Sequence, residues 1–392
     1  MKVVQINSVC SSGSTGKICE AVSRLLTNNG IENYILCAEG NSKYPLAIRN
    51  ISRMDQKWQA LKSKAIGNYG FQSRRATRQM IGELERISPD IVHLHNLHSH
   101  NVHLGLLFGY LKEKNIKVFW TFHDCWAFTG YCMYYDMACC NRWKTECKNC
   151  PQRRRYSWFF DWSNQLHKRK KELFLYLNLT IITPSQWMAD QVNQSFLRDC
   201  KVKVIHNGID IDLFSPKTSD IRKKYNIAGD KVLLLGVANK WEKRKGLDAF
   251  LYLEEILDCN RFQIMLVGTN DEVDKKLPSN IVSIHRTENV HELAEIYAAA
   301  DYLINPTYED NFPTVNIEAL ACGTPVITFD TGGSPEAITN ECGICVPKGD
   351  FQALVEAINQ RSQMCFTRDA CVHRASEFDQ NEKFREYLEL YE

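Results

Sequence analysis

The sequence predicts an α/β fold in which two Rossmann-like, doubly wound domains face a cleft. Short apolar segments of strand composition alternate with helical segments in both halves of the chain, which is typical of parallel sheets covered by helices on both faces. Turn residues at 206–210 interrupt this alternation. The length of 392 residues also exceeds one ordinary hydrophobic core. We therefore expect one domain over residues 1–206 and a second over 207–374.

Hydrophobic periodicity orders the elements of the first half. Apolar runs predict strands, and apolar residues recurring every three or four positions, such as Ile18, Val22 and Leu25, predict helices. A turn of small residues at 8–15 would join the first strand to a helix that ends at Gly30. The predicted strands are 2–7, 33–38, 90–95, 117–122, 179–183 and 201–205, and the other helices are 73–85, 102–114 and 185–197.

The second half repeats the alternation. A glycine, Gly246, marks the start of its first helix, and Gly323 marks the end of a short helix near the middle of this half. The predicted strands are 231–237, 262–267, a run that closes at Ile304, and 326–329, and the predicted helices are 247–257, 289–300, 350–361 and 375–390.

The segment 305–327 carries the strongest functional signal. Its composition suits a strand end, an acidic loop, a short helix that begins near Thr314, and another strand. Asp310 would precede the helix and Glu318 would lie about one turn inside it. The first backbone N–H groups of a helix lack partners within it and carry the positive end of its dipole, which predicts a site for a diphosphate. The two carboxylates could then accept hydrogen bonds from hydroxyl groups of the ligand on either side of its diphosphate, so the pattern indicates a sugar nucleotide. The donor-binding residues expected around this helix start are Asn311, Phe312, Pro313, Thr314 and Val315.

These residues resemble the signature of the family 4 retaining glycosyltransferases. The family pattern is an acidic E-x7-E, in which Asp310 here replaces the first glutamate. Glu-Ala-Leu-Ala-Cys-Gly-Thr-Pro-Val-Ile at 318–327 and Val-Ile-His-Asn-Gly-Ile-Asp at 204–210 also match the family. The spacing of Gly130-Tyr-Cys, Cys140-x-Arg-Trp and Cys147-x-x-Cys-Pro is similar to the subgroup that builds exopolysaccharides of the colanic acid type. The resemblance spans nearly the whole chain and implies the GT-B fold, with a C-terminal helix, 375–392, that crosses back onto the first domain.

The resemblance implies a retaining hexosyltransferase. Such an enzyme would move a hexosyl group from a UDP- or GDP-sugar to a glycan or a lipid-linked glycan acceptor in surface polysaccharide biosynthesis. Retention without an obvious protein nucleophile suggests a front-face reaction in which the leaving diphosphate accepts the acceptor proton. No Asp-x-Asp motif stands in a convincing position, so we expect activity without a divalent cation and without a cofactor.

The resemblance also assigns roles to single residues. His123 directly follows a strand, and a histidine at this position in the family can hydrogen-bond the transferred sugar. Asp310 would hold the same sugar, and Glu318 would hold the ribose. Polar residues that end neighbouring parallel strands gather at one sheet edge, so contacts to the acceptor or the sugar are expected from His95, Asn96 and His98.

Two cations precede the helix that starts after Gly246. Arg244 and Lys245 would compensate the charge that develops on the leaving diphosphate. In the family an arginine stands six residues before this lysine; Asn239 occupies that place here, so Lys240 or Arg244 would take over its role. Further donor contacts are expected at positions where strands end or where glycine lets the backbone approach a ligand, namely Gly13, Gly16, Gly268 and Arg286.

The long segment after His123 is rich in cysteine. Cys147 and Cys150 have the spacing of metal ligands, and Cys132 with Cys139 or Cys140 could complete a tetrahedral, structural zinc site. The alternative is that these cysteines are buried thiols, which pack as small apolar side chains.

Charge and hydropathy limit the partners. The formal charge of +2 gives no general attraction to nucleic acid, and no run of about 18 apolar residues predicts a membrane-spanning helix. The N-terminal segment lacks the features of a signal peptide, so we expect a cytoplasmic protein, peripheral on the inner face of the membrane. Between residues 142 and 171, basic and aromatic residues are interleaved. This segment suits an anionic membrane surface, and its alternatives are single-stranded nucleic acid or a merely solvated helix face.

Two other function classes share parts of this pattern. A sugar-nucleotide epimerase can use the same two-domain frame, but it would need no acceptor. A nucleic-acid-binding protein would use the segment 142–171 and bind single strands with a steep salt dependence. We expect no nucleic-acid partner.

Overall fold

The computed structural model describes residues 1–40, 44–175, 177–360 and 366–392. The chain forms two compact units. Unit 1 comprises Met1–His206 and Lys383–Glu392, and unit 2 comprises Asn207–Glu382. Each unit contains one parallel sheet with helices, so the predicted α/β class is confirmed. Residues 375–382, which we expected in the crossing helix, lie in unit 2.

Unit 1 is built on a seven-stranded sheet in the order β3-β2-β1-β4-β5-β6-β7, and every pairing is parallel. The sequence order of the strands changes direction between β1 and β4: β1 to β3 extend to one side and β4 to β7 to the other. Parallel α/β sheets bind ligands at the carboxyl ends of the strands that flank this point. Its elements are β1 Lys2–Cys10, α1 Gly13–Asn28, β2 Glu32–Gly40, β3 Ala47–Arg49, α2 Arg53–Ile66, α3 Arg74–Ile87, β4 Ile91–Leu94, α4 Leu104–Glu113, β5 Lys117–Thr121, α5 Arg153–Tyr156, α6 Ser163–Phe174, β6 Leu179–Thr183, α7 Gln186–Asn193 and β7 Lys201–Val204.

Unit 2 has a six-stranded parallel sheet in the order β10-β9-β8-β11-β12-β13. Here the strand order changes direction between β8 and β11. Its elements are α8 Ile221–Lys224, β8 Val232–Val237, α9 Leu247–Ile256, β9 Phe262–Val267, α10 Asp271–Asp274, β10 Val282–Ile284, α11 Val290–Ala299, β11 Tyr302–Asn305, α12 Thr314–Ala321, β12 Val326–Phe329, β13 Gly343–Val346, α13 Phe351–Asn359 and α14 Arg368–Ser376. The predicted last residue of α13, 361, lies outside the described part of the chain.

The last helix, α15 (Gln380–Tyr391), belongs mostly to unit 1. Phe384, Tyr387 and Tyr391 are buried there in one cluster with Val3 and Ile91 of the central strands. Burying three aromatic side chains removes a large apolar area from water, which is a sufficient reason for this helix to leave unit 2.

Several bounds differ from the sequence prediction, the predicted helix 375–390 is divided between two helices, and some elements, such as β3 and α6, were not predicted. β1 continues to Cys10 because it stays paired with β2 through Val9 and Cys10, so the predicted turn 8–15 shrinks and α1 begins at Gly13. Helix α2 was not predicted, although its signals are present: Ser52 Oγ caps the N–H of Asp55 at 3.1 Å, and Gly67 ends the helix at φ +80°. Its buried residues, Gln56 and Ser63, are both polar.

No helix among the described residues is both long and apolar enough to cross a bilayer.

Candidate functional site

The predicted histidines of unit 1 come together in one pocket. His95, Asn96 and His98 follow β4, and His123 and Asp124 follow β5. Because β4 and β5 are neighbouring parallel strands, their carboxyl ends meet at the same edge, and all five residues line a single pocket there. The prediction of a polar cluster at this edge is therefore confirmed by the geometry, while the roles of its members stay predictions.

Two side-chain contacts organise this pocket. His95 Nδ1 lies 3.0 Å from His123 Nε2, with the two rings stacked at 15° and 5.3 Å between centroids. His98 Nε2 lies 2.7 Å from Asp124 Oδ2. Asp124 also caps the following turn by accepting from Trp126 N at 2.9 Å. The rings are held by neighbours on both sides, so the pocket presents them in fixed orientations.

Burial sets the protonation of this cluster. It lowers the pKa of His93 to about 3 and that of His123 to about 4, and it holds the pKa of His95 well below its usual value, in each case helped by a neighbouring histidine. Burial alone would raise the pKa of the Asp124 carboxyl, but His98 and the hydrogen bonds from His98 and Trp126 N lower it. At neutral pH the pocket therefore offers neutral imidazoles at His95 and His123 and a carboxylate at Asp124.

A second polar layer lies beneath the pocket, and the sequence analysis did not single it out. Gln5 Oε1 lies 3.1 Å from His95 Nε2, and Gln5 Nε2 donates to Cys19 O. His93 contacts Thr121 Oγ1 at 2.8 Å and Tyr391 OH at 2.5 Å. The sequence did contain one signal for this layer, a glutamine inside an apolar strand. A fully buried amide needs hydrogen-bond partners, so polar neighbours of Gln5 could have been expected.

Gly13 and Gly16 lie in the first turn of α1, at the carboxyl end of β1. Gly13 has φ +63°, a left-handed conformation that favours glycine, and a Cβ at Gly16 would lie 3.2 Å from Ser11 N. The Ser12 side chain makes no capping hydrogen bond to this turn. The glycines are therefore part of a helix start, which suits an anion as well as the predicted loop would.

The predicted site residues of unit 2 follow β8 and β11, the two parallel strands between which the strand order changes direction. The 3₁₀ turn Lys243–Lys245 follows β8, and the loop 306–313 follows β11, its neighbour in the sheet. Arg244 O accepts from Tyr308 N at 2.7 Å, and a Cβ at Gly246 would lie 2.1 Å from Pro306 O. Only a glycine at 246 allows the two backbones to pack this closely.

The two predicted cations contact the acidic loop. Lys245 Nζ lies 2.5 Å from Asp310 Oδ2, and both side chains are mostly buried. Arg244 donates to Glu309 O at 3.1 Å. Lys240, the other candidate to replace the family arginine, is 68% exposed and pairs with Glu242 at 2.9 Å. Of the two, Arg244 is the one that reaches the Asp310 loop.

Helix α12 begins where it was predicted, and Glu318 lies in it. Pro313 is its N-cap, and no side chain caps its first turn. Glu318 Oε2 accepts from Tyr297 OH at 2.8 Å, a partner that sequence alone did not indicate. Phe312 is only 3% exposed and packs 5.5 Å from Phe378, so its side chain belongs to the core and is not positioned as a donor contact.

A glycine turn packs against the same loop. Gly332 has φ +56°, and a Cβ there would lie 1.8 Å from Asp310 O, while Gly333 N donates to Asn311 O at 2.8 Å. Thr331 Oγ1 and Ser334 Oγ are buried and have no hydrogen-bond partner within the described residues. Buried hydroxyls normally have partners, so two such groups beside a helix start indicate a polar ligand.

Gly268 and Arg286 differ from expectation in what they can offer. Gly268 has φ +89°, and a Cβ there would lie 1.6 Å from Ala238 O, so the glycine serves packing of the backbone. Its N–H donates to Ile284 O at 2.8 Å and is not available to a nucleobase. Arg286 is exposed just beyond β10.

The cysteines of the segment after β5 share one cavity. Cys132, Cys140, Cys147 and Cys150 line it, and the Cys132 thiol donates to the Cys150 sulfur. This bond lowers the pKa of Cys150 and raises that of Cys132, while burial raises the pKa of Cys147 to about 12. Across the described ranges, no three histidine, cysteine, aspartate or glutamate side chains are arranged to hold a metal ion. The geometry favours the alternative of buried thiols, and zinc stays a prediction.

Both parts of the chain match models of glycosyltransferases. Residues 16–213 match the family described as Glycosyltransferase Family 4, and residues 230–363 match the one described as Glycosyl transferases group 1. The first match covers half of the chain. The protein therefore belongs to glycosyltransferase family 4, as its motifs indicated.

Individual relatives agree with this assignment. A protein named as a colanic acid biosynthesis glycosyl transferase, WcaC of Escherichia coli (strain K12), is 25% identical over 385 residues, which cover 91% of this chain and 90% of WcaC. The predicted resemblance to the exopolysaccharide subgroup is thereby confirmed.

Solved structures show the fold. Sucrose-phosphate synthase from Thermosynechococcus elongatus has a TM-score of 0.74 at 18% identity, covering 100% of this chain and 98% of that one. Anabaena Alr3699/HepE in complex with UDP-glucose has a TM-score of 0.70 at 15% identity, covering 100% and 99%. The predicted GT-B fold is confirmed.

Proposed function

We propose that this protein transfers a hexosyl group from a UDP- or GDP-sugar to a glycan or lipid-linked glycan at the cytoplasmic face of the membrane, during assembly of a surface polysaccharide. The transfer retains the anomeric configuration and needs no divalent cation. The similarity to a colanic acid enzyme supports the pathway class, and the HepE complex with UDP-glucose supports the donor class.

The observation that carries the proposal is the pairing of Lys245 with Asp310 beside the start of α12. A lysine ammonium, the Arg244 guanidinium and the first N–H groups of a helix together compensate the charge of a diphosphate. Thr331 and Ser334 supply two further hydroxyls, and they have no other partner in the described residues. Glu318 then binds the ribose of the donor.

In the proposed reaction, the bond from the anomeric carbon to the diphosphate breaks while a bond to the acceptor oxygen forms on the same face. The departing diphosphate oxygen accepts the acceptor proton, and Arg244 and Lys245 stabilise the charge it acquires. Asp310 and His123 hold the sugar as it gains oxocarbenium character. His95, Asn96 and His98 supply hydrogen bonds to neutral hydroxyls, and the neutral imidazole of His95 suits that role.

The test is an assay of the purified protein with UDP- and GDP-sugars one at a time, with and without a polysaccharide-repeat acceptor. We expect slow hydrolysis of one donor, faster turnover with acceptor, an unchanged anomeric configuration by NMR, and equal rates with Mg²⁺ or EDTA. An epimerised donor formed without acceptor would assign the epimerase class instead. If neither Glu318→Ala nor Lys245→Ala altered donor turnover, the assigned site would be wrong.

A further inference from the structure

Unit 1 carries an exposed apolar surface that has no role in the proposed transfer. Of the eleven large hydrophobic side chains exposed among the described residues, eight belong to two segments, α2 and the loop 157–162. We call these eight the aromatic surface: Met54, Trp58, Leu61, Ile66, Trp158, Phe159, Phe160 and Trp162. Their concentration in two segments needs an explanation, because single exposed apolar residues are normal but grouped ones mark a binding surface.

Helix α2 has its polarity inverted with respect to the protein. Its buried residues are Gln56 and Ser63, both polar. Met54, Trp58 and Leu61 are spaced by four and three positions, so they share one face, and they are 82%, 54% and 46% exposed. A helix that served only to cover the sheet would turn these three side chains inward. This helix instead presents its apolar face to the surroundings.

The loop 157–162 is joined to the end of α2. Trp158 N donates to Lys64 O at 2.8 Å, and Trp162 Nε1 donates to Ile66 O at 2.8 Å. Gly67 ends the helix at φ +80°, where a Cβ would lie 2.5 Å from Ser157 Oγ, so the junction depends on a glycine. Because the two segments are bonded to one another, their exposed side chains form one surface.

Positive charge accompanies this surface. Residues 53–66 and 153–162 contain seven lysine or arginine residues and two acids. Lys62 Nζ lies 5.1 Å from the Trp58 ring centroid and Lys64 Nζ 5.9 Å from that of Trp158. Asp161, one of the two acids, is engaged by Cys150 N at 2.7 Å. Exposed indole and phenyl rings interspersed with cations match the interface of an anionic bilayer.

We propose that the aromatic surface docks the protein onto an anionic phospholipid bilayer, with its rings in the interfacial region and its cations against the headgroups. A second copy of the chain is a poorer partner, because a two-fold contact would bring like charges together. Single-stranded nucleic acid is also poorer, because Met54, Leu61 and Ile66 offer no ring on which a base can stack. The proposal extends the lipid-linked acceptor of the proposed function by naming the surface involved, but it can be tested without donor or acceptor.

The experiment is co-sedimentation of the full chain with vesicles of phosphatidylglycerol and phosphatidylethanolamine, compared with vesicles of phosphatidylcholine. We expect binding to the anionic vesicles, a blue shift of tryptophan emission, and weaker binding at high salt. The double variant Trp58→Glu/Leu61→Glu should lose at least tenfold in vesicle affinity. The matched control is Ile256→Glu, which places the same charge at an exposed apolar residue of unit 2 and should bind as the wild type does.

Three outcomes would overturn the proposal. One is equal vesicle binding by Trp58→Glu/Leu61→Glu and the wild type, with both folded by circular dichroism. The second is a dimer, seen by analytical ultracentrifugation, that this variant dissociates while vesicles are not bound. The third is binding of single-stranded oligonucleotide in place of vesicles. Donor hydrolysis by the double variant should equal that of the wild type, so a failed docking surface and a failed transferase assignment give different results.

Discussion

Each unit has its own candidate site at the carboxyl ends of its strands, and the two sites are built from opposite electrostatics. In unit 1 the site follows β4 and β5, and burial keeps its His95 and His123 neutral. In unit 2 the site follows β8 and β11 and consists of the Lys245–Asp310 ion pair and a helix start. The histidines of unit 2, His285, His291 and His373, are all exposed. This difference underlies the proposal that unit 1 contacts neutral hydroxyls and unit 2 binds an anion.

The largest expected effect is on the charged candidate site of unit 2, around Lys245. Lys245→Met should lower kcat for donor turnover by about 10²–10³-fold, since it removes a preorganised charge next to the leaving diphosphate. The control is Lys243→Met, an exposed lysine of the same turn, which should keep nearly full activity. Equal losses in the two variants would show that only the general positive charge of the turn matters.

The stability of unit 1, which contains the buried neutral histidines, should be sensitive to acid. His93 and His95 stay neutral in the folded protein, whereas in the unfolded chain they take up protons below pH about 6.5. The unfolded state then binds more protons, so the free energy of unfolding should fall as pH drops from about 6.5 towards 4, by up to about 1.4 kcal/mol per pH unit for each histidine.

Urea unfolding followed by tryptophan fluorescence measures this, because seven of the eight tryptophans lie in unit 1. His93→Gln should reduce the pH slope, and the control His291→Gln, at an exposed histidine of unit 2, should leave it unchanged. A slope that is the same in all three proteins would argue against buried neutral histidines as its origin.

A smaller effect is expected from His123→Gln. This change replaces the proposed hydrogen bond to the transferred sugar by a weaker one, and a neutral hydrogen bond contributes on the order of 1 kcal/mol, so transfer should slow by up to about fivefold. Donor affinity, set by unit 2, should change little. The control His291→Gln should have no effect on either quantity. A loss of donor affinity in His123→Gln would contradict the proposal that unit 2 sets this affinity.

The smallest effect concerns the cysteine cavity of unit 1. Because the Cys132 hydrogen bond lowers the pKa of Cys150, Cys150 should react with maleimide faster than Cys147 near pH 7.5, as seen by mass spectrometry. Cys132→Ala removes this bond and should slow the reaction at Cys150. Protection of both thiols until a chelator is added, with zinc released, would instead support the metal site.

Local signals in the sequence were sufficient where a feature depends on neighbouring residues. The start of α12 and the positions of Asp310 and Glu318 follow from turn residues and apolar spacing within about twenty residues. The gathering of His95, His98 and His123 also followed, since adjacent parallel strands must end at the same edge.

Partners distant in sequence were not predictable. Gln5 contacts His95 across 90 positions, and Tyr391 contacts His93 across 298, so no local pattern links them. The outward orientation of the apolar face of α2 and the core role of the Phe312 side chain, which depends on Phe378, likewise could not be read from the sequence.

The sequence by itself determined the α/β class, the order of most strands and of the longer helices of the sheets, the family, and which residues stand at the main strand ends and helix starts. These properties depend on periodicity and on turn residues, which act over one or two helical turns. Only the tertiary structure decided which groups share a hydrogen bond, which histidines lose their charge through burial, and which apolar residues stay exposed. Those outcomes depend on how distant segments pack against one another and exclude water, and that information is not local to any stretch of the chain.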